Sequence, residues 1–115
     1  MNMLKTTKKY KSFQEFWPFY LSEHSVPLNR KLHFVGTLLV LIFFVIAMYS
    51  GRWILLIALP VLGYGFAWVG HFIIEKNRPA TFIYPFWSLL GDFKMFFMTL
   101  FGQIDLELQK HVNKQ

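Results

Sequence analysis

Trp68-Val69-Gly70-His71-Phe72-Ile73-Ile74-Glu75-Lys76-Asn77-Arg78-Pro79-Ala80-Thr81 is the stretch on which the fold turns. It closes a long apolar run and leaves it through a polar, proline-containing exit. His71 and Glu75 stand four residues apart, so on an α-helix they share one face. An ionisable pair at the end of a run long enough to cross a bilayer is expensive unless it is paired, metal-bound or open to a water-filled cavity.

Upstream, Trp53 to Ile74 reads as one spanning helix with Pro60 inside it, and Gly63, Ala67 and Gly70 form a small-residue track of the kind that lets membrane helices approach closely. Ser50-Gly51-Arg52 is a tight turn. Before it, a first spanning helix runs from near Leu28 to Tyr49, without a charge from Phe34 onward. Asn29, His33 and Thr37, spaced four apart, give its entry a polar stripe. His33 precedes Gly51 by 18 residues and His71 follows it by 20, roughly 27 and 30 Å along a helix rising about 1.5 Å per residue. The two histidines therefore belong at one depth. His24 lies one short connection away from the same end.

Composition agrees with a membrane chain. Of 115 residues, 55% are hydrophobic and 20% aromatic, and only 16% are charged, against roughly 25% in soluble domains. The length suits a single domain. With no cysteine, disulfides and thiolate metal sites are excluded, leaving His, Asp, Glu and Asn as ligands. The net charge of +6 is carried by Lys5 to Lys11, by Arg30 and Lys31 before the first run, and by Lys76 and Arg78 after the second. These cations flank hydrophobic segments and do not form one exposed face, so no nucleic-acid partner is expected. Their bias places the N-terminus and the histidine end on the cytoplasmic side.

Residues 1–11 read as a basic disordered tail without the apolar core of a secretory signal, and 12–113 as one membrane-embedded helical domain. Ser12-Phe13-Gln14-Glu15 is a capping box opening an amphipathic helix, with Phe13, Phe16, Trp17, Tyr20 and Leu21 on one face and His24 continuing it. Such a helix lies on the membrane or packs against the bundle, and its aromatic face reads as membrane-contacting in preference to a substrate box. Residues 81–101 read as an aromatic amphipathic helix, interfacial or tilted, or as a third span. Its polar stripe, Thr81, Pro85, Ser88, Asp92 and Thr99, is expected to face the histidines. The expected fold is therefore all-α, a small integral membrane helical bundle built on one transmembrane hairpin.

His24, His33 and His71 at one level, with Asn29, Glu75, Asn77 and Asp92 nearby, make a candidate metal site, since imidazole suits Zn, Cu, Fe and Ni. Metal-bound histidine donates its other N–H to a carboxylate or carbonyl, a role open to Glu75 or Asp92. Spacing leaves the metal open. It also leaves open a zinc-dependent membrane hydrolase with Glu75 as general base, and a non-catalytic scaffold or lipid-binding protein whose histidines anchor at the interface.

Tyr20-x3-His24-x4-Asn29-x3-His33, followed by Gly70-His71-x3-Glu75-x3-Pro79-Ala80, resembles the membrane-bound 2-hydroxy fatty acid dioxygenases known from fungal phytosphingosine breakdown. The resemblance implies an Fe(2+)-dependent α-oxidation in which a 2-hydroxy fatty acid and O2 give a fatty acid one carbon shorter. It makes His24, His33 and His71 the iron-ligand candidates, with Glu75 and Asn29 matching as supporting residues. Asp92 joins them as a catalytic candidate on local chemistry alone. Arg30, Arg78 and Asn77 at the rim are candidates for holding the substrate. The fungal enzymes carry extra membrane segments between the two blocks, where this chain has one hairpin. The expected location is a multi-pass membrane protein, in the bacterial inner membrane or, in a eukaryote, the ER membrane.

Overall fold

A computed structural model describes residues 9–112, and among them there are helices and turns but no strand. Most of the tail expected at 1–11 lies outside the described residues. Lys9 and Tyr10 are described, and both backbone N–H groups donate to the Tyr84 hydroxyl at 2.6 and 3.0 Å.

Helix α1 spans Phe13–Ser22. Ser12 caps it in extended conformation, its side chain accepting from the Glu15 N–H. Glu15 reaches back one residue further than a standard capping box, accepting from the Lys11 N–H at 3.1 Å. The apolar face of α1 packs against the bundle, the second of the two placements read from the sequence, and is not a membrane-contacting face. Phe16, Trp17, Tyr20 and Leu21 are buried in a core with Tyr84, Met95 and Leu108. Aromatic rings build that core: Phe16 meets Tyr84 at 5.0 Å between centroids, and Trp17 stacks on Tyr20 at 5.5 Å. A helix facing a complementary aromatic wall removes more apolar surface by docking there than by lying on an interface.

Helix α2 runs Pro27–Ser50 and ends at Gly51, whose positive φ of 72° lets its N–H donate back to the Ala47 carbonyl. The return run is not one continuous α-helix. It opens as a 3-10 turn over Trp53–Ile57, becomes α3 over Ala58–Trp68, and widens into a π-helix over Val69–Glu75. Pro60 sits in the first turn of α3, where the 3-10 turn hands over to the α-helix. The small-residue track works as read. A Cβ on Gly63 would stand 3.3 Å from Val40 Cγ2, and across the same seam one on Gly36 would stand 3.1 Å from Phe66 Cβ.

A 3-10 turn over Ala80–Phe82 leads into α4, Pro85–Leu100, and α5 follows at Ile104–His111. At 16 residues α4 is not among the helices long enough to span. Its two charged residues are accounted for: Lys94 lies 4.4 Å above the Trp17 ring, and Asp92 turns inward. Trp17 Nε1–H donates to Glu107 at 2.9 Å, tying α5 to α1. The molecule is thus an all-α bundle with a buried aromatic core in α1, α4 and α5, and a hairpin whose outer residues are exposed. The two hairpin arms, Pro27–Ser50 and Trp53–Glu75, are long and apolar enough to cross a membrane.

Candidate metal centre

Three elements deliver one imidazole each. His24 follows α1, His33 lies two turns into α2, and His71 sits in the π-helix. All three are buried, and their ligand atoms lie within 4.8 Å of one another. His24 Nε2 stands 3.1 Å from His33 Nε2 and 3.1 Å from His71 Nε2.

The opposite ring nitrogens fix the tautomers. His24 Nδ1–H donates to the Tyr20 carbonyl at 2.6 Å, and His33 Nδ1–H to the Asn29 carbonyl at 3.0 Å. His71 Nδ1–H donates to Asn77 Oδ1 at 2.7 Å. The Asn77 amide cannot be turned over, because its Nδ2 donates to the Glu23 carbonyl at 3.1 Å. Backbone carbonyls only accept, so in the neutral rings every proton sits on Nδ1 and three bare Nε2 lone pairs converge. Lone pairs held 3.1 Å apart repel unless a cation lies among them. Two nitrogens bound at about 2.1 Å to one centre, at tetrahedral or octahedral angles, stand about 3.0–3.4 Å apart. The donor set, and the spacing of His24 from each of the other two rings, therefore fit a borderline divalent metal, iron included. Burial, together with the neighbouring His33 and His71, holds His24 well below the ordinary histidine range, so it is neutral and ready to bind at neutral pH.

The remaining candidates fall into distinct places. Glu75, like His71, turns toward the stripe of α2 that carries Asn29 and His33. Its carboxylate points back to the start of α2, accepting from the Val26 N–H at 2.7 Å, Asn29 Nδ2 at 3.2 Å and Ser25 Oγ at 3.3 Å. It caps a helix whose own N-cap residue, Val26, has no capping side chain. Glu75 does not line the cavity around the imidazoles. Asn29 is fully buried against Gly70, its Oδ1 without a partner. Arg30 donates to the His24 and Ser25 carbonyls at 2.7 and 3.1 Å, fastening the α1–α2 connection. Arg78 lies 5.2 Å over the Phe82 ring. His111 pairs with Glu107 at 3.5 Å.

From α4, Asp92 and Ser88 face the imidazoles, and Thr81 joins them. Tyr20 donates its hydroxyl to Asp92 and stacks on His24 at 4.2 Å. Burial pushes the Asp92 carboxyl up to about 7, with the Tyr20 hydroxyl pulling the other way. Ser88, 2% exposed, has no partner for its hydroxyl. Neither Ser88 nor Tyr20 was a candidate from the sequence. The signal was present, in the helical stripe through Ser88 and Asp92 and in the tyrosine that opens the first motif block.

A family model described as "2-hydroxy-palmitic acid dioxygenase Mpo1-like" matches residues 10–104, from the start of α1's approach to the start of α5. The chain belongs to this Mpo1-like family. No curated protein and no solved structure matches it. The Mpo1-like match takes in all three buried histidines and both arms of the hairpin.

Proposed function

We propose that the protein is an iron(II)-dependent dioxygenase of the membrane that shortens 2-hydroxy fatty acids by one carbon. The observation that carries this reading is the convergence of three bare imidazole nitrogens in an Mpo1-like chain. The reaction balances: the carboxyl carbon leaves as CO2, C2 becomes the new carboxyl carbon, and O2 is reduced to one carboxylate oxygen and water. Iron(II) bound by His24, His33 and His71 would supply the centre at which O2 accepts electrons.

The chain's own residues do the rest. Tyr20, Asn29 and Asn77 hold the three rings in the tautomer that leaves Nε2 bare. Asp92 and Ser88 present hydrogen-bonding groups on the α4 side of the cavity, where a carboxylate or α-hydroxyl would arrive. Glu75 supports the site by capping α2. Membrane residence is supported by burial: only 17% and 11% of the most apolar window of the two hairpin arms is covered, whereas a soluble protein's core helix is mostly covered.

The test is anaerobic reconstitution of metal-free protein with iron(II) or zinc, followed by O2 uptake on 2-hydroxypalmitate. Iron should support uptake and release of the fifteen-carbon acid, and zinc should not. No uptake with stoichiometric iron bound would sink the reading.

A further inference from the structure

Beside the histidine cavity lies a larger cleft of about 170 Å³ between α2, α3 and α4. His33, Tyr64, Ala67 and Asp92 line both, so the two spaces adjoin. From His33 the wall passes along one face of α2 through Thr37 to Val40, about 10 Å at the usual helical rise. Across from it, Ala67, Gly63 and Leu59 on α3 descend in parallel. Polar groups gather where His33 and Asp92 sit, and the far end, at Val40, Leu59 and Pro60, is apolar. Ser88 lies one turn before Asp92 on the same helix, buried, unpartnered and facing the imidazoles.

We propose that this cleft seats the acyl chain of the substrate, with its oxygen-bearing head between Ser88 and the three imidazoles and its tail running toward Val40. The chemistry at the head rests on the dioxygenase reading above. The occupant follows from the walls. A peptide would leave its amides unpaired against Val40, Leu59 and Pro60, and a chain of methylenes would not. Gly63 keeps the cleft open where a side chain would close it, and at about 10 Å the cleft takes the head-proximal part of a sixteen-carbon tail, the remainder passing Val40.

Two measurements test this on iron-loaded protein in lipid nanodiscs. Palmitic acid carrying a mid-chain diazirine, photolysed in place, should label Val40, Leu59 or Tyr64. Val40→Phe should abolish that label and lower O2 consumption with 2-hydroxypalmitate about tenfold relative to 2-hydroxyoctanoate, as expected when a pocket rejects added methylenes. Ser88→Ala should depress both chain lengths alike, since it acts on the head. Labelling of the outward Ile42, Val45 or Val61 instead would overturn the proposal, as would equal loss on both substrates in an iron-replete Val40→Phe. If Val40→Phe loses its iron, the wild-type label alone decides. Label in the cleft without turnover by wild type would uphold the cleft and remove the dioxygenase reading.

Discussion

Each ligand candidate is aimed by an acceptor for its second nitrogen, and two of the three acceptors are backbone carbonyls that no side-chain substitution removes. Asn77 is the exception, and it is doubly engaged: its side chain holds His71 Nδ1 and its N–H donates to the His71 carbonyl at 2.9 Å. Asn77→Ala should therefore weaken metal affinity about 10–100-fold, the usual effect of removing such a partner. Asn77→Asp, which keeps an acceptor, should recover most of it. Metal titration of both variants checks this, and unchanged affinity in the alanine variant would mean that Asn77 does not orient the ring.

At the scale of elements, the decisive feature is the π-helix over Val69–Glu75. Along it His71 meets the other histidines, and Glu75, four residues on and on the same side, meets the first turn of α2. Gly70 makes this crossing close. A Cβ there would collide with Asn29 Oδ1, and Asn29 cannot withdraw without leaving Glu75 and dragging the carbonyl that holds His33. Gly70→Ala should cost about 1–3 kcal/mol by overpacking. It should also lower metal occupancy, although Gly70 is no ligand. Denaturant unfolding and metal stoichiometry together check it. Gly65→Ala, where a Cβ would meet nothing within 4 Å, is the matched control.

For the whole molecule, burying an uncharged histidine makes stability depend on pH. His24 has its folded-state value depressed below the ordinary 6.5, chiefly by burial. Above about pH 6.5 neither the folded nor the unfolded state binds the proton; below it the unfolded chain binds it first, so stability falls as pH falls. Metal-free protein should lose up to about 1.4 kcal/mol per pH unit below about 6.5 from this one group. Unfolding at about pH 7.5, 6.5 and 5.5 measures the slope, and a flat profile would contradict the burial of His24 as a neutral ring.

The sequence by itself determined the helical class, the hairpin and the meeting of its histidines. Those follow from periodic hydrophobicity, a glycine turn and a fixed rise per residue, all of which are local. Nearly equal spacing of His33 and His71 from Gly51 put them at one level even though the second arm changes helix type twice. The tertiary structure alone decided what each side chain faces. Whether the aromatic face of α1 meets lipid or another helix depends on Tyr84, Met95 and Leu108, residues more than sixty positions away. Whether the Glu75 carboxylate turns to the imidazoles or to a helix start depends on Val26 and Asn29, which lie far off in the chain. Spacing sets depth along a helix, but direction around it depends on hydrogen-bond register and on packing against distant partners. So the histidine level of the Trp68–Thr81 stretch was legible in advance, and the separate tasks of His71 and Glu75 were not.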